Sequence, residues 1–183
     1  GLTWTPDGKS LLFSESRRTD LNLYRMNIKT GKITDITKVK GTLRVLAFSK
    51  DRTKMVYSYS DFDTPPDLYV SPLSEFNPVR LTNANPWIEK EILLAKSDIV
   101  RWKSKDNMEI EGVLYVPGNY QERKKLPLIV TIHGGPSGHF ANRFRSVFHI
   151  FAGLGYASLG PNIRGSNSYG DDLLCALQGD VGG

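Results

Sequence analysis

Short apolar stretches separated by turn residues fill the first 83 positions of the chain. Residues 45–49 and 55–60 are rich in β-branched and aromatic side chains, which favour β-strands. Residues 50–53 form a predicted turn between them, and Pro6, Asp7 and Gly8 form the equivalent turn earlier in the chain. Proline presets φ for such a turn, aspartate bonds its own backbone, and glycine accepts a positive φ. The pattern predicts short antiparallel strands joined by tight turns.

This strand-rich region repeats itself with a period of 44–45 residues. Trp4 matches Phe48, and Leu23 matches Leu68. A period of about 40–45 residues with four short strands per unit is typical of β-propeller blades. We therefore predict that residues 1–83 form an all-β, partial β-propeller of about two blades.

A different pattern begins after Asn83. Residues 84–98 have no counterpart in the repeat and are predicted to form a connector. Residues 99–102 and 110–116 predict two antiparallel strands joined by a turn. Residues 128–132 are apolar without alternation, which is typical of a parallel strand buried on both faces.

A strand–helix–strand unit is predicted to begin with residues 128–132. Phe144, Val147, Phe148 and Phe151 are spaced as one face of a helix, which predicts a helix over residues 142–154. Residues 156–159 predict the next strand, and residues 169–177 a second helix. Because strand–helix–strand units build α/β domains, residues 99–183 are predicted to form part of such a domain.

The composition is that of an ordinary globular protein, with 39% apolar and 23% charged residues. The net charge of +5 comes from scattered basic residues, so no nucleic-acid partner is expected. No apolar run approaches the roughly 20 residues that span a bilayer, so no membrane span is expected. The sequence has neither metal-ligand spacing nor a phosphate-binding loop pattern, so neither a metal nor a cofactor is expected.

Cys175 is the only cysteine, so the chain can form no internal disulfide. This favours a reducing compartment, and we expect a cytoplasmic location. The apolar residues around Cys175 predict that it is a buried core residue rather than a nucleophile. His149 lies on the predicted helix, where a packing or surface role is expected, and the sequence gives His139 no partner.

The candidate chemistry begins where the apolar stretch 128–132 ends, at His133-Gly134-Gly135-Pro136. In α/β-hydrolases the loop after such a strand supplies one backbone N–H of the oxyanion hole. Glycine suits this position because a residue without Cβ lets the backbone approach a tetrahedral intermediate closely. The alternative is a tight turn that merely requires glycine.

A second motif follows at residues 162–166, Asn-Ile-Arg-Gly-Ser, and Tyr169-Gly170 comes shortly after it. The blade repeats, the strand leading into His-Gly-Gly-Pro and this second motif occur in one order along the whole chain. In this combination the chain resembles the prolyl oligopeptidase family of serine peptidases, in its acylaminoacyl-peptidase and dipeptidyl-aminopeptidase-like branch. The resemblance implies two parts, a partial β-propeller followed by the N-terminal portion of an α/β-hydrolase domain.

The resemblance also implies roles for individual residues. Gly135 is expected to donate its backbone N–H to the oxyanion, with Gly134 and Pro136 shaping the loop. His133 corresponds to a structural loop histidine rather than the base of the triad. The second motif is expected to be structural, with Arg164 holding loops together through hydrogen bonds and ion pairs; its candidate residues are Asn162, Arg164 and Gly165.

The chain departs from the family because no serine in it lies in a Gly-x-Ser-x-Gly nucleophile elbow. We therefore expect a fragment without nucleophile, acid or base, inactive alone, whose intact parent hydrolyses short or acylated peptides through an acyl-enzyme. An esterase or lipase with the same oxyanion loop, and a non-catalytic propeller module that binds partners, stay open as alternatives. Substrate preference and oligomeric state also stay open.

Overall fold

The computed structural model describes residues 2–121, 125–135 and 137–179. The chain divides into two compact units. The first comprises Gly1–Pro86 and Asn142–Phe144, and the second Trp87–Ala141 and Arg145–Gly183. Both units are built mainly from β-sheet with few helices. For the first part of the chain, this confirms the predicted β-rich structure. In the part of the chain that the structure describes, no helix has the length and apolarity to cross a membrane.

The first unit contains two successive meanders of four strands each. Within each meander, consecutive strands pair antiparallel. A parallel contact between Leu21 and Thr42 joins the two meanders. The strands are β1 Leu2–Trp4, β2 Ser10–Arg17, β3 Asp20–Asn27 and β4 Ile33–Asp35, followed by β5 Thr42–Phe48, β6 Lys54–Ser60, β7 Asp67–Pro72 and β8 Val79–Arg80.

The repeat predicted from the sequence recurs in the side-chain hydrogen bonds of the two meanders. In the first, the Thr37 hydroxyl donates to Asn22 Oδ1 over 2.8 Å. In the second, the Thr82 hydroxyl donates to Asp67 Oδ1 over 2.5 Å. Each Oδ1 also accepts the backbone N–H two residues after the threonine. Residues 45 positions apart in the two meanders therefore make equivalent hydrogen bonds, in addition to being similar in type.

The core of the first unit lies between the two meanders. Each meander contributes apolar side chains that alternate along its strands, as half-buried sheets require. The buried members are Leu12, Leu23, Leu43, Met55 and Tyr57.

The second unit holds a four-stranded sheet in the order β11-β12-β10-β9. The parallel pair β11 and β12 flanks helix α2, so the predicted strand–helix–strand unit is present. The other pairs are antiparallel. The elements are α1 Pro86–Glu91, β9 Lys96–Lys103, β10 Glu109–Val116, β11 Leu128–Val130, α2 Ser146–Gly153, β12 Ala157–Asn162 and α3 Asp171–Leu174.

Several predicted boundaries differ from the structure. The predicted connector, residues 84–98, includes α1 and the start of β9. Helix α2 begins at Ser146 rather than at 142, because Asn142 is held in the first unit, where its N–H donates to the Thr19 carbonyl. The buried residues of α2 are Phe148, His149 and Ala152, so the predicted apolar face is rotated. The second helix is reduced to α3 and a 3₁₀ turn over Cys175–Leu177.

The prediction that residues 128–132 are buried on both faces is wrong. Leu128, Val130 and Ile132 are 52%, 50% and 57% exposed. Strand β11 lies at one edge of its sheet, and among the described residues no strand pairs with its outer side. The apolar composition of this strand is therefore not matched by burial within the chain.

The prediction that Cys175 is a buried core residue is also wrong, because its side chain is exposed. The apolar residues 173–177 do not form one continuous helix. Leu173 is the buried member of this segment, and the 3₁₀ turn that begins at Cys175 directs the cysteine outward.

Candidate functional site

Residues 133–140, which we call the glycine loop, begin three positions after the end of β11. Gly135 has a φ of 125°, a conformation that residues with a side chain rarely adopt. A Cβ on Gly135 would lie 3.1 Å from the Gly138 nitrogen, whereas a Cβ on Gly134 would meet nothing within 4 Å. Both glycines are exposed. Gly134 and Gly135 thus present backbone without side chains shortly after a strand; Pro136, the fourth residue of the motif, lies outside the described residues.

His133 fixes the upstream end of the glycine loop. Its Nε2 lies 2.7 Å from Ser166 Oγ, and its ring centroid lies 5.7 Å from that of Phe140. A serine bonded to a histidine is the pairing of a nucleophile with its base. Ser166, however, has an exposed fraction of 0%, so its hydroxyl cannot reach a substrate. The pair joins the two sequence motifs.

Phe140 fixes the downstream end of the glycine loop. Its N–H donates to Asn162 Oδ1 over 2.6 Å, and its carbonyl accepts from Asn162 Nδ2 over 3.1 Å. Its ring lies against Gly160 of β12, where a Cβ would come within 2.7 Å of the ring. Asn162 is fully buried, so both ends of its amide depend on these partners.

A chain of buried polar groups continues from Asn162 into the sheet. Asn162 Nδ2 donates to the Tyr169 hydroxyl over 2.6 Å, and that hydroxyl donates to Glu111 Oε1 over 2.7 Å. The other carboxylate oxygen of Glu111 accepts from Arg101 Nε over 2.7 Å. No motif in the sequence points to Glu111 or Arg101. The sequence does contain one signal for Glu111. It lies two positions before the apolar Val113 in β10, and residues two apart in a strand share a face, so this acidic side chain is expected on the same face as an apolar one.

Arg164 and Gly165 tie the second motif to neighbouring turns. Arg164 Nη2 lies 2.5 Å from Asp106 Oδ2 and 3.4 Å from Ser104 Oγ. Hydrogen bonds from Ser104 and from the Arg164 guanidinium hold the pKa of Asp106 well below its usual range. Gly165 has a φ of 87° and donates its N–H to the Leu173 carbonyl over 2.7 Å. These contacts link the second motif to residues 104 and 106 and to α3.

The remaining candidate residues do not join the site. His149 is buried, its Nδ1 accepts from the Ala95 N–H over 3.2 Å, and its ring packs edge-on against Tyr115. This is the packing role expected from its place on the helix. Within residues 2–121, 125–135 and 137–179, no three His, Cys, Asp or Glu side chains cluster in a way that could hold a metal ion.

Comparison with known proteins identifies proteins that are similar to this chain. No family model matches the chain. The uncharacterized peptidase YuxL of Bacillus subtilis is 28% identical over 180 residues, and the acylamino-acid-releasing enzyme of Sus scrofa is 27% identical over 194, each aligned to 98% of this chain. Dipeptidyl-peptidase 5 of Porphyromonas gingivalis is 28% identical over 189 residues, aligned to the whole chain. The chain is a homologue of these peptidases.

Solved structures of such peptidases share the fold of this homologue. The Pyrococcus horikoshii acylaminoacyl peptidase superposes with a TM-score of 0.75 over 93% of this chain, at 28% identity. Dipeptidyl peptidase 4 of Porphyromonas gingivalis superposes with a TM-score of 0.79 over 96% of this chain at 18% identity, which shows the fold alone. The resemblance predicted from the sequence is confirmed.

This peptidase homologue spans 26–27% of the length of these curated relatives. Its alignment with them runs through both the repeated meanders and the strand–helix–strand unit. The similarity is thus to one part of each longer peptidase. The roles predicted for the glycine loop and for Asn162, Arg164 and Gly165 stay predictions.

Proposed function

We propose that this chain forms part of a serine peptidase of the prolyl oligopeptidase family. In this proposal the two meanders are about two blades of a β-propeller, and the second unit is part of an α/β-hydrolase domain. The meander repeat supports the first assignment and the parallel β11–α2–β12 unit the second. The peptidase relatives that align along the whole chain support both.

The observation that carries the proposal is the conformation of the glycine loop. Attack of a serine on a peptide carbonyl turns the carbonyl oxygen into an oxyanion, which backbone N–H groups stabilise. Gly135 combines a positive φ with exposure at the end of a parallel strand. We assign to it one oxyanion N–H, with Gly134 and Pro136 shaping the loop and His133 anchoring it.

The chemistry proposed for the complete protein has two steps. A serine outside this chain gives its proton to a histidine, also outside this chain, and attacks the substrate carbonyl; the C–N bond then breaks, and the amine leaves with that proton. Water then hydrolyses the acyl-enzyme and restores the serine. The substrates proposed are short peptides or peptides with an acylated N-terminus.

The chain itself is proposed to be inactive. No serine lies in a nucleophile elbow, and Ser166, which does contact a histidine, is buried. Incubation of the purified 183-residue chain with a fluorophosphonate probe is expected to give no labelling by mass spectrometry. Stoichiometric labelling of any serine would show that the chain contains its own nucleophile.

The protein translated from the complete reading frame tests the activity. We expect it to react with the fluorophosphonate probe and to hydrolyse an acetyl-alanyl anilide. A strong preference for p-nitrophenyl esters over the anilide would instead support an esterase. If the protein neither reacts with the probe nor hydrolyses either substrate, the proposed function is wrong.

A further inference from the structure

We propose that Glu111 is a positioning residue for the glycine loop and acts through Tyr169 and Asn162. This inference rests on the proposed function, because the loop matters for the reaction only if it binds an oxyanion. Glu111 itself belongs to β10 and lies in the sheet, flanked by Arg101 on β9 and Asn162 on β12 in the strand register.

The burial of these groups makes their hydrogen bonds consequential. The Glu111 side chain is 1% exposed, and Asn162 is fully buried. A buried polar group that loses its partner keeps its desolvation cost, so such networks hold one arrangement when every member is satisfied. Arg101, by contrast, is 54% exposed and reaches Glu111 from the surface.

The negative charge of Glu111 gives the network its direction. A carboxylate can only accept hydrogen bonds, so the Tyr169 hydroxyl donates its proton to Glu111 Oε1 over 2.7 Å. The tyrosine oxygen is then an acceptor for Asn162 Nδ2, which lies 2.6 Å away. This places the amide nitrogen of Asn162 toward Tyr169 and leaves Oδ1 for the Phe140 N–H.

The same orientation of Asn162 holds the downstream end of the glycine loop. Its amide bonds both backbone groups of Phe140, at 2.6 Å and 3.1 Å. His133 is bonded to Ser166 at the upstream end. Gly135 therefore lies between two anchored residues, and release of Phe140 would free one of them. Positioning of this kind affects the rate because an oxyanion donor acts only at the correct distance.

A glutamine at position 111 cannot reproduce this arrangement. Its single oxygen can face Arg101 or Tyr169, and its amide nitrogen then faces the other. If the nitrogen faces Tyr169, the tyrosine hydroxyl loses its acceptor at position 111, and donating toward Asn162 instead would oppose the orientation of that amide. If the nitrogen faces Arg101, two donors meet. Glu111→Gln thus leaves either the Tyr169 hydroxyl proton or Arg101 Nε without its acceptor, with almost no change in shape.

The test uses hydrogen exchange in the protein translated from the complete reading frame. Glu111→Gln and Tyr169→Phe are expected to exchange about tenfold faster in the peptide covering residues 133–140, without change in residues 54–60 of β6. Tyr156→Phe, which removes an exposed hydroxyl from the same unit, is the matched control and is expected to exchange like the unmodified protein. Unchanged exchange in residues 133–140, or equal acceleration in residues 54–60, would overturn the proposal.

Kinetics provide the second readout. Glu111→Gln and Tyr169→Phe are each expected to lower kcat by about tenfold while KM stays within about twofold, because the loop acts in the transition state. Glu111→Asp, which keeps the charge, is expected to recover part of the loss. Faster exchange with unchanged kcat would overturn the positioning role. If the unmodified protein has no peptidase activity, the proposed function fails, and the exchange data still decide whether Glu111 holds the loop.

Discussion

The Nε2 atom of His133 lies 2.7 Å from Oγ of Ser166, and this contact joins the His-Gly-Gly-Pro motif to the motif at residues 162–166. The two residues are 33 positions apart. His133 lies three positions after β11 and Ser166 four positions after β12, and these strands are parallel neighbours. The contact therefore depends on sheet pairing, and it anchors the loop that contains Gly135.

Replacing Ser166 by alanine should weaken the second unit. The change leaves a ring nitrogen of His133 without this partner, and a hydrogen bond of this kind contributes about 1 kcal/mol. Urea denaturation of the purified chain should show the loss. Ser137→Ala, in an exposed position of the glycine loop, is the control and should leave the free energy of unfolding unchanged. Equal stability of both variants would contradict an anchoring role for Ser166.

Gly135→Ala should damage catalysis in the complete protein far more than Gly134→Ala. A Cβ at Gly135 is strained by a φ of 125° and lies 3.1 Å from the Gly138 nitrogen, so the loop must shift. Removal of one oxyanion donor lowers kcat by about 10²–10³-fold. Displacement of the Gly135 N–H should lower kcat by nearly as much. Gly134→Ala is sterically free and should retain most activity. Equal kcat values for the two variants would argue against the role assigned to Gly135.

Asp67 should make the first unit less stable in acid. Burial raises the pKa of Asp67, but hydrogen bonds from Thr82, Arg80 and the Ala84 N–H outweigh it, and the pKa is lowered overall. Because the folded state favours the carboxylate, this stability is present above the unfolded pKa of about 3.9 and is lost as the pH falls through the folded value. Urea denaturation between pH 7 and pH 3 should show the decline.

Variants at Asp67 separate charge from hydrogen bonding. Asn22 occupies the equivalent place in the first meander and accepts the same two kinds of hydrogen bond without a charge. Asp67→Asn should therefore cost about 1 kcal/mol and flatten the pH dependence, whereas Asp67→Ala should cost about 2–3 kcal/mol. A pH profile of Asp67→Asn as steep as that of the unmodified chain would assign the acid sensitivity to other groups.

The repeat was predictable from the sequence because its contacts are local. Thr37 and Asn22 are 15 residues apart, as are Thr82 and Asp67, so each pair forms within one meander. A local pattern that occurs twice is visible in one sequence. The parallel strand–helix–strand unit was predictable for the same reason, since its elements follow one another along the chain.

The network around Asn162 was not predictable, because strand register creates it. Tyr169 and Glu111 are 58 residues apart and meet only when β10 pairs with β12. A buried glutamate in a strand carries no sign of its partner in the sequence. The conformation of Asn142, which shortens α2, likewise depends on hydrogen bonds to distant residues such as Thr19.

The exposed edge of β11 should make the isolated chain associate. Leu128, Val130 and Ile132 present apolar side chains on a strand whose outer backbone groups have no strand partner among the described residues. Open apolar edges favour edge-to-edge pairing, and lysine on such a strand opposes it. Val130→Lys should therefore lower light scattering and the binding of a hydrophobic dye. Gln178→Lys adds the same charge at an exposed site and should leave both unchanged. Equal scattering of the two variants would place the association surface elsewhere.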